Sequence, residues 1–300
     1  YTQGNFNNDI GVPKTLLRLR PEHEIAVVEM GASHPGDIKA LVDVVEPDYA
    51  IITNVGRAHL QGFGSFEGVI HTKGELYDFM RANHGLGNTD NGKTLREGKA
   101  PLSCVFIDSE NPYLNGIAQG LNLVRYGCKA DDQLWVSGRV DSCSPMLNFT
   151  WRHNDGTSVG APHATQTHLI GEYNITNMLA AVSIGLYFGV PADNIVKALS
   201  AYVPSNNRSQ FEQTADNRLI VDAYNANPTS MAAALRNFAD IEATGKMVIV
   251  GDMKELGEVS HDEHQRIVDQ LRKMTLDQVW LVGSEFEGCD TPSGFRLFDN

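Results

Sequence analysis

An α/β protein in two parts is predicted by three observations. Between Glu24 and Val55 the chain runs strand, helix, strand at about the length of one right-handed crossover unit with parallel strands. From Leu219 to Val282 the rhythm restarts with three strand-type and two helix-type segments, a second parallel unit. Between them Val203-Pro204-Ser205-Asn206-Asn207 is a polar, proline-containing break without periodicity. It sets domains of residues 1–203 and 204–300.

In order, Ile25 to Met30 is expected to be a strand, Asp37 to Val45 a helix, and Tyr49 to Val55 a parallel strand. Helical periodicity returns over Phe66 to Arg81, then a Gly/Asn loop leads to apolar runs at Cys104 to Ile107 and Leu123 to Tyr126. Gln133 to Ile170 alternates in short runs such as Leu147 to Trp151, the pattern of an antiparallel edge. Two helices follow, Asn174 to Phe188 and Ala192 to Tyr202. In the second part the expected elements are strand Leu219 to Asp222, helix Thr229 to Ile241, strand Met247 to Val250, helix His261 to Met274 and strand Gln278 to Val282. Ser260-His261-Asp262-Glu263 reads as a capping box for the last helix.

With 42% apolar and 20% charged residues, the composition is that of a soluble globular chain. Twenty-four basic against 37 acidic residues give a net charge of -13, which argues against nonspecific nucleic-acid or membrane-surface binding. The longest apolar region, Met178 to Val190, is too short to span a bilayer, so no membrane insertion is expected. Four cysteines without a C-x-x-C pair indicate neither a zinc site nor a disulfide framework, and a cytoplasmic location is the default. The chain opens on Tyr1 in a Gly/Asn-rich stretch and reads as a piece of something longer.

The most informative string is Asp222-Ala223-Tyr224-Asn225-Ala226-Asn227-Pro228, an acid and two amides where a strand ends and a helix begins. Orphan amides at a helix start suit the hydroxyls and phosphates of a nucleotide, while Asn227 as cap and Pro228 at the first helical position equally describe an ordinary helix start. Glu29 and His59 are expected at the carboxyl ends of neighbouring strands, where open sheets bind ligands. Glu29 suits magnesium; His59 acts through water, favours manganese, or is a hydrogen-bonded loop histidine. Lys73 is either a solvated lysine or a desolvated, reactive amine. Asn174 and Asn177 lie on one helix face, as a cap with a polar neighbour or as a pair reading a purine edge. Arg208 offers a planar fork to phosphate oxygens, or is a solvated hinge residue. Gly87 to Thr94 matches the phosphate-loop expression G-x-x-x-x-G-K-[ST], but no strand leads in, and Gly98 and Pro101 cut short any helix after it. It is read as a turn-rich connection.

The ordered set GNFNNDIGVPKTLLRL at 4–19, VVEMGA at 27–32, ITNVGRAHL at 52–60, TKGE at 72–75, GEYNITNMLAA at 171–181, DAYNANPTSM at 222–231 and GDMKELGE at 251–258 resembles the Mur ligases over nearly the whole chain. The resemblance implies a central ATPase domain with a mostly parallel sheet and a Rossmann-like carboxyl-terminal domain, both truncated here. It implies ATP as substrate and Mg2+, or Mn2+, as cofactor. By the same likeness Glu29, His59 and Lys73 form the catalytic and metal-facing set, with Lys73 carbamylated. Asn174 and Asn177 hold adenine, Arg208, Asp222 and Asn225 reach the nucleotide, and Asn5, Asn8, Tyr224 and Asn227 lie near substrate or the domain interface. GNFNND, YNANP and GDMKELG together imply the branch that joins D-Ala-D-Ala to UDP-N-acetylmuramoyl-tripeptide in peptidoglycan precursor synthesis; a monomer is expected.

Three departures qualify the likeness. Relatives carry a phosphate loop just before the stretch that opens this chain, so this piece alone is expected to be nearly inactive. Tyr173 replaces a histidine common in the adenine motif, and Val221 stands where many relatives have an acid. The rival readings are a noncatalytic nucleotide-binding or scaffold protein, and a superfamily amide ligase of the diaminopimelate-adding or folylpolyglutamate type.

Overall fold

The computed structural model describes residues 1–56, 60–86, 103–129, 133–156, 158–204 and 207–299. Two compact units make up the chain, Tyr1–Tyr126 and Gly127–Asn300, so the break at residues 203–207 lies inside the second. His59 and the segment Gly87 to Thr94 fall outside the described residues.

The first unit contains α1 (Gly11–Leu16), α2 (Asp37–Val45), β1 (Tyr49–Ile51), α3 (Leu60–Phe63), α4 (Phe66–His84), β2 (Cys104–Asp108), α5 (Pro112–Ile117) and β3 (Leu123–Gly127), the last ending one residue past the division. Its strands pair in parallel in the order β1-β2-β3, with Tyr49 opposite Cys104 and Val105 opposite Leu123. β2 is apolar at four successive positions and buried at all four, as a central parallel strand must be. α2 turns Ile38, Leu41 and Val42 inward at helical spacing. α4 is capped by Ser65, whose hydroxyl accepts the Gly68 N–H, and carries Glu67 in its first turn with Arg81 and His84 in its last. Val69, Leu76, Tyr77 and Met80 of this helix join Val105 and Ile107 of β2 in the core. Each fully buried aliphatic side chain contributes about 1.5–3 kcal/mol.

The strand expected over Ile25 to Met30 does not form. A strand needs a ladder partner, and among the described residues none pairs with this segment; Val27 is 64% exposed. Thr2 ties it down instead, donating its N–H to the Val27 carbonyl at 3.0 Å and accepting the Glu29 N–H on Oγ1 at 2.9 Å. The next strand is also shorter than expected, ending at Ile51.

The second unit opens with an antiparallel meander of β4 (Val136–Cys143), β5 (Met146–His153) and β6 (His163–Ile170), as the alternating sequence predicts. α6 (Ile175–Tyr187) packs on β4, and a Cβ at Gly138 would lie 2.4 Å from a Leu179 methyl, so any larger residue there would have to push the Leu179 side chain aside. After α7 (Ala192–Ala201) come β7 (Gln210–Gln213), β8 (Arg218–Val221), α8 (Pro228–Asp240), β9 (Met247–Gly251), α9 (Ser260–Arg272), β10 (Gln278–Val282) and β11 (Arg296–Phe298). β9, β10 and β11 pair in parallel with β10 central.

Two expectations need correction in this unit. β8 pairs antiparallel with β7, Phe211 opposite Ile220, rather than opening the parallel sheet. Its Leu219 is 41% exposed, so the apolar run marks a hairpin strand and not a buried central one. The capping box does not form either, because a 3-10 turn over Gly257–Val259 feeds straight into α9 and gives Ser260 helical dihedrals (φ -55°, ψ -53°). Its hydroxyl goes to Glu285, and Glu263 pairs with Arg266.

Candidate functional site

Asn7 and Glu29 meet in the first unit. The Asn7 side-chain amide donates to Glu29 Oε1 at 3.0 Å, and the Asn7 carbonyl accepts the Gly31 N–H at 2.7 Å. The amino-terminal segment thereby fixes the VVEMGA stretch where no ladder does. Asn8 faces the chain itself: its Oδ1 accepts the Gly11 N–H at 2.8 Å and holds the start of α1. Asn5 is exposed.

Lys73 occupies the third turn of α4, deeper than the helix start the sequence suggests. The same helix buries Thr72 and Gly74, leaving the Lys73 stem half-buried. Its Nζ donates to the Asn54 carbonyl at 2.7 Å. Burial lowers the lysine pKa, because the neutral amine survives loss of water better than the ammonium does. Glu75, two residues on, places Oε1 on the Gly36 N–H and Oε2 on the Lys39 N–H, each at 2.8 Å. It is a carboxylate at the positive end of α2. In the sequence Glu75 figures only within TKGE; an acid separated by 36 residues from an amide it caps carries no local signal.

In the second unit the expected adenine pair is in mutual contact. Asn177 Nδ2 donates to Asn174 Oδ1 at 3.1 Å, and the buried Asn174 donates its own amide to the Ile170 carbonyl at 2.8 Å. Asn174 is thus locked by β6, whereas Asn177 is exposed.

Arg208 and Asp222 come together around a residue the sequence does not single out. Ser209 is buried with φ +49° and lies in hydrogen-bond contact with both the Tyr173 hydroxyl and, at 3.4 Å, Asp222 Oδ2. A left-handed serine has no sequence motif. The Arg208 guanidinium stacks 4.0 Å from the Tyr224 ring centroid. Desolvation raises the Asp222 pKa, opposed by hydrogen bonds from Ser209 and by the Arg208 charge. Asn225 is exposed, and Asn227 caps α8 as predicted, its Oδ1 accepting the Ser230 N–H at 3.0 Å with Pro228 beginning the helix.

Among the described residues no group of three or more His, Cys, Asp and Glu side chains could hold a metal ion. Glu29 supplies a carboxylate oxygen suited to a hard cation. Lys73 as an amine supplies none and fits only as a carbamate. No helix among the described residues is long and apolar enough to cross a membrane.

Known proteins share both parts of this chain. Residues 1–185 match the family model of the Mur ligase middle domain, and residues 207–293 that of the Mur ligase, glutamate ligase domain. UDP-N-acetylmuramoyl-tripeptide--D-alanyl-D-alanine ligase of Escherichia coli (strain K12) is 33% identical over 299 residues, covering 98% of this chain and 60% of that protein. A crystal structure of MurF from Acinetobacter baumannii matches with a TM-score of 0.81 at 29% identity, covering 100% of this chain and 61% of that one. MurF from Thermotoga maritima in complex with ADP matches in fold, with a TM-score of 0.79 at 22% identity over 100% of this chain and 63% of that one. The chain spans about three fifths of the length of these relatives.

Proposed function

Because the chain belongs to the Mur ligase family, we propose that the protein carrying it is an ATP-dependent amide ligase that adds D-Ala-D-Ala to UDP-N-acetylmuramoyl-tripeptide. The observation that carries this reading is the 33% identity to the Escherichia coli D-alanyl-D-alanine ligase over 98% of the chain. The ADP in the Thermotoga maritima relative supports ATP as substrate. We divide the chain functionally at residues 203–204, between the segments the two family models match, and place the reaction in the cytoplasm with a monomeric enzyme.

The reaction joins two substrates that repel. The terminal carboxylate of the tripeptide attacks the γ-phosphorus of ATP, forming an acyl phosphate and releasing ADP. The amine of D-Ala-D-Ala then attacks the acyl carbon, loses a proton, and expels inorganic phosphate. Asn174 and Asn177 bind adenine, with Asn174 pre-set by its bond to Ile170 so that little ordering remains on binding. Arg208, held over Tyr224, meets phosphate oxygens, and Asp222 and Asn225 orient the nucleotide from beside it. Asn5 and Asn8 lie near the tripeptide, and Tyr224 and Asn227 near the incoming dipeptide.

Glu29, His59 and carbamylated Lys73 are the residues we assign to magnesium, with manganese as substitute. When bound, that cation neutralises charge between carboxylate and triphosphate. Lys73 is suited to carbamylation because its desolvated amine is neutral more often than a surface lysine's, and the Asn54 carbonyl holds it in place.

Amine selectivity tests the reading. Phosphate release from ATP by the protein as its gene encodes it is measured with UDP-N-acetylmuramoyl-tripeptide and each candidate amine. Release with D-Ala-D-Ala alone is expected; release with a single amino acid, such as diaminopimelate or glutamate, overturns the assignment.

A further inference from the structure

The turn that presents Arg208 is built from two non-glycine residues in the left-handed region, Asn207 at φ +54° and Ser209 at φ +49°. Such conformations persist only where the surroundings over-determine them. The Asn207 carbonyl is held by the Ala223 N–H at 2.8 Å, from the chain just after β8. Ser209 is held by Asp222 on one side and by the Tyr173 hydroxyl on the other. Of these anchors Asp222 and Ala223 directly follow β8, whereas Tyr173 comes from the turn that precedes α6.

Tyr173 is itself fixed. It sits in the 3-10 turn Glu172–Asn174, directly before Asn174, with its ring against Gly171. A Cβ at Gly171 would fall 2.3 Å from Tyr173 Cε1, and Gly171 has φ +96°, so glycine is required twice over. The ring is therefore seated by the same turn that places the Asn174 amide, and its hydroxyl reaches the turn that carries the guanidinium.

We propose that Tyr173 is a positioning residue: through Ser209 its hydroxyl fixes the turn that aims Arg208, so that the turn holding Asn174 and the anion-binding arginine are set together. The inference deepens the nucleotide reading above and rests on it for its consequence, but the geometry it asserts is testable without nucleotide.

The test uses the protein as its gene encodes it, labelled with 15N and 13C at arginine, as wild type, Tyr173→Phe, Ser209→Ala and the double variant. Arg208 signals are identified by their loss in Arg208→Lys. In the wild type the ring current of Tyr224 displaces them from the positions of free arginine. Phenylalanine keeps the packing on Gly171 and removes only the hydroxyl, so at least half of that displacement should vanish while the melting temperature stays close to wild type. The double variant should lose no more than Ser209→Ala alone. Affinity for ADP, titrated in parallel, should fall roughly five- to tenfold, the effect of one lost hydrogen bond. Unchanged Arg208 signals in Tyr173→Phe, or effects that add in full in the double variant, overturn the proposal. Should Tyr173→Phe not fold, the Arg208 signals of Ser209→Ala decide the question by the same criterion. A wild-type chain that does not bind ADP counts against the nucleotide reading, while the arginine signals still decide the role of Tyr173.

Discussion

The side-chain nitrogen of Lys73 lies 2.7 Å from the backbone carbonyl oxygen of Asn54. That contact fixes a partly desolvated amine whose pKa burial has lowered. In the window between its native pKa and the ordinary lysine value of about 10.4, the unfolded chain binds a proton that the folded one does not. Stability therefore rises with pH through that window. Lys73→Met should flatten this rise in urea titrations. At about pH 8 cyanate should modify Lys73 ahead of the exposed lysines, read by peptide mass mapping; slowest labelling at Lys73 contradicts the assignment.

Glu29→Gln separates structure from charge. Glutamine keeps an oxygen to accept the Asn7 amide, so stability should change by no more than about 0.5 kcal/mol. The anionic oxygen is gone, so ligase activity should fall roughly 100-fold and need more magnesium for half-maximal rate. A variant with unaltered magnesium dependence would remove Glu29 from the metal set.

Asn174 and Asn177 should behave differently although both are assigned to adenine. Asn174→Ala leaves the buried Ile170 carbonyl without its donor and should cost about 1–2 kcal/mol in denaturant unfolding. Asn177→Ala removes a less buried amide and should stay within about 0.5 kcal/mol. Both should weaken ADP binding. Equal stability losses would show that Asn174 is not the structural member of the pair.

Glu75→Ala should destabilise by about 1–2 kcal/mol, because two backbone N–H groups at the start of α2 lose their acceptor and the helix loses a favourable charge. Glu75→Gln retains one acceptor oxygen and should recover about half of that. Equal losses in the two variants would assign the effect to charge alone.

Elements with their own apolar period are legible in the sequence. Asp37 to Val45 and Gln278 to Val282 agree with it to the residue, and Asn227 with Pro228 announces the start of α8. Failures arise where the deciding partner is remote. Ile25 to Met30 has strand composition but no strand beside it among the described residues, and β8 lies in a hairpin that nothing in Leu219 to Asp222 foretells. Ser260 matches a capping expression, yet the preceding 3-10 turn carries it into the helix. At the site, the contact between Asn174 and Asn177 follows from spacing, whereas Ser209 and Glu75 act on residues tens of positions away or through a backbone dihedral.

The nucleotide product tests the ligase assignment most directly. The protein as its gene encodes it is incubated with ATP, magnesium, UDP-N-acetylmuramoyl-tripeptide and D-Ala-D-Ala, and the nucleotide is weighed by mass spectrometry. The expected product is a species heavier by one D-Ala-D-Ala less water, formed one for one with ADP and phosphate and abolished by Lys73→Ala. ATP hydrolysis without that species, or its undiminished formation by Lys73→Ala, would contradict the assignment.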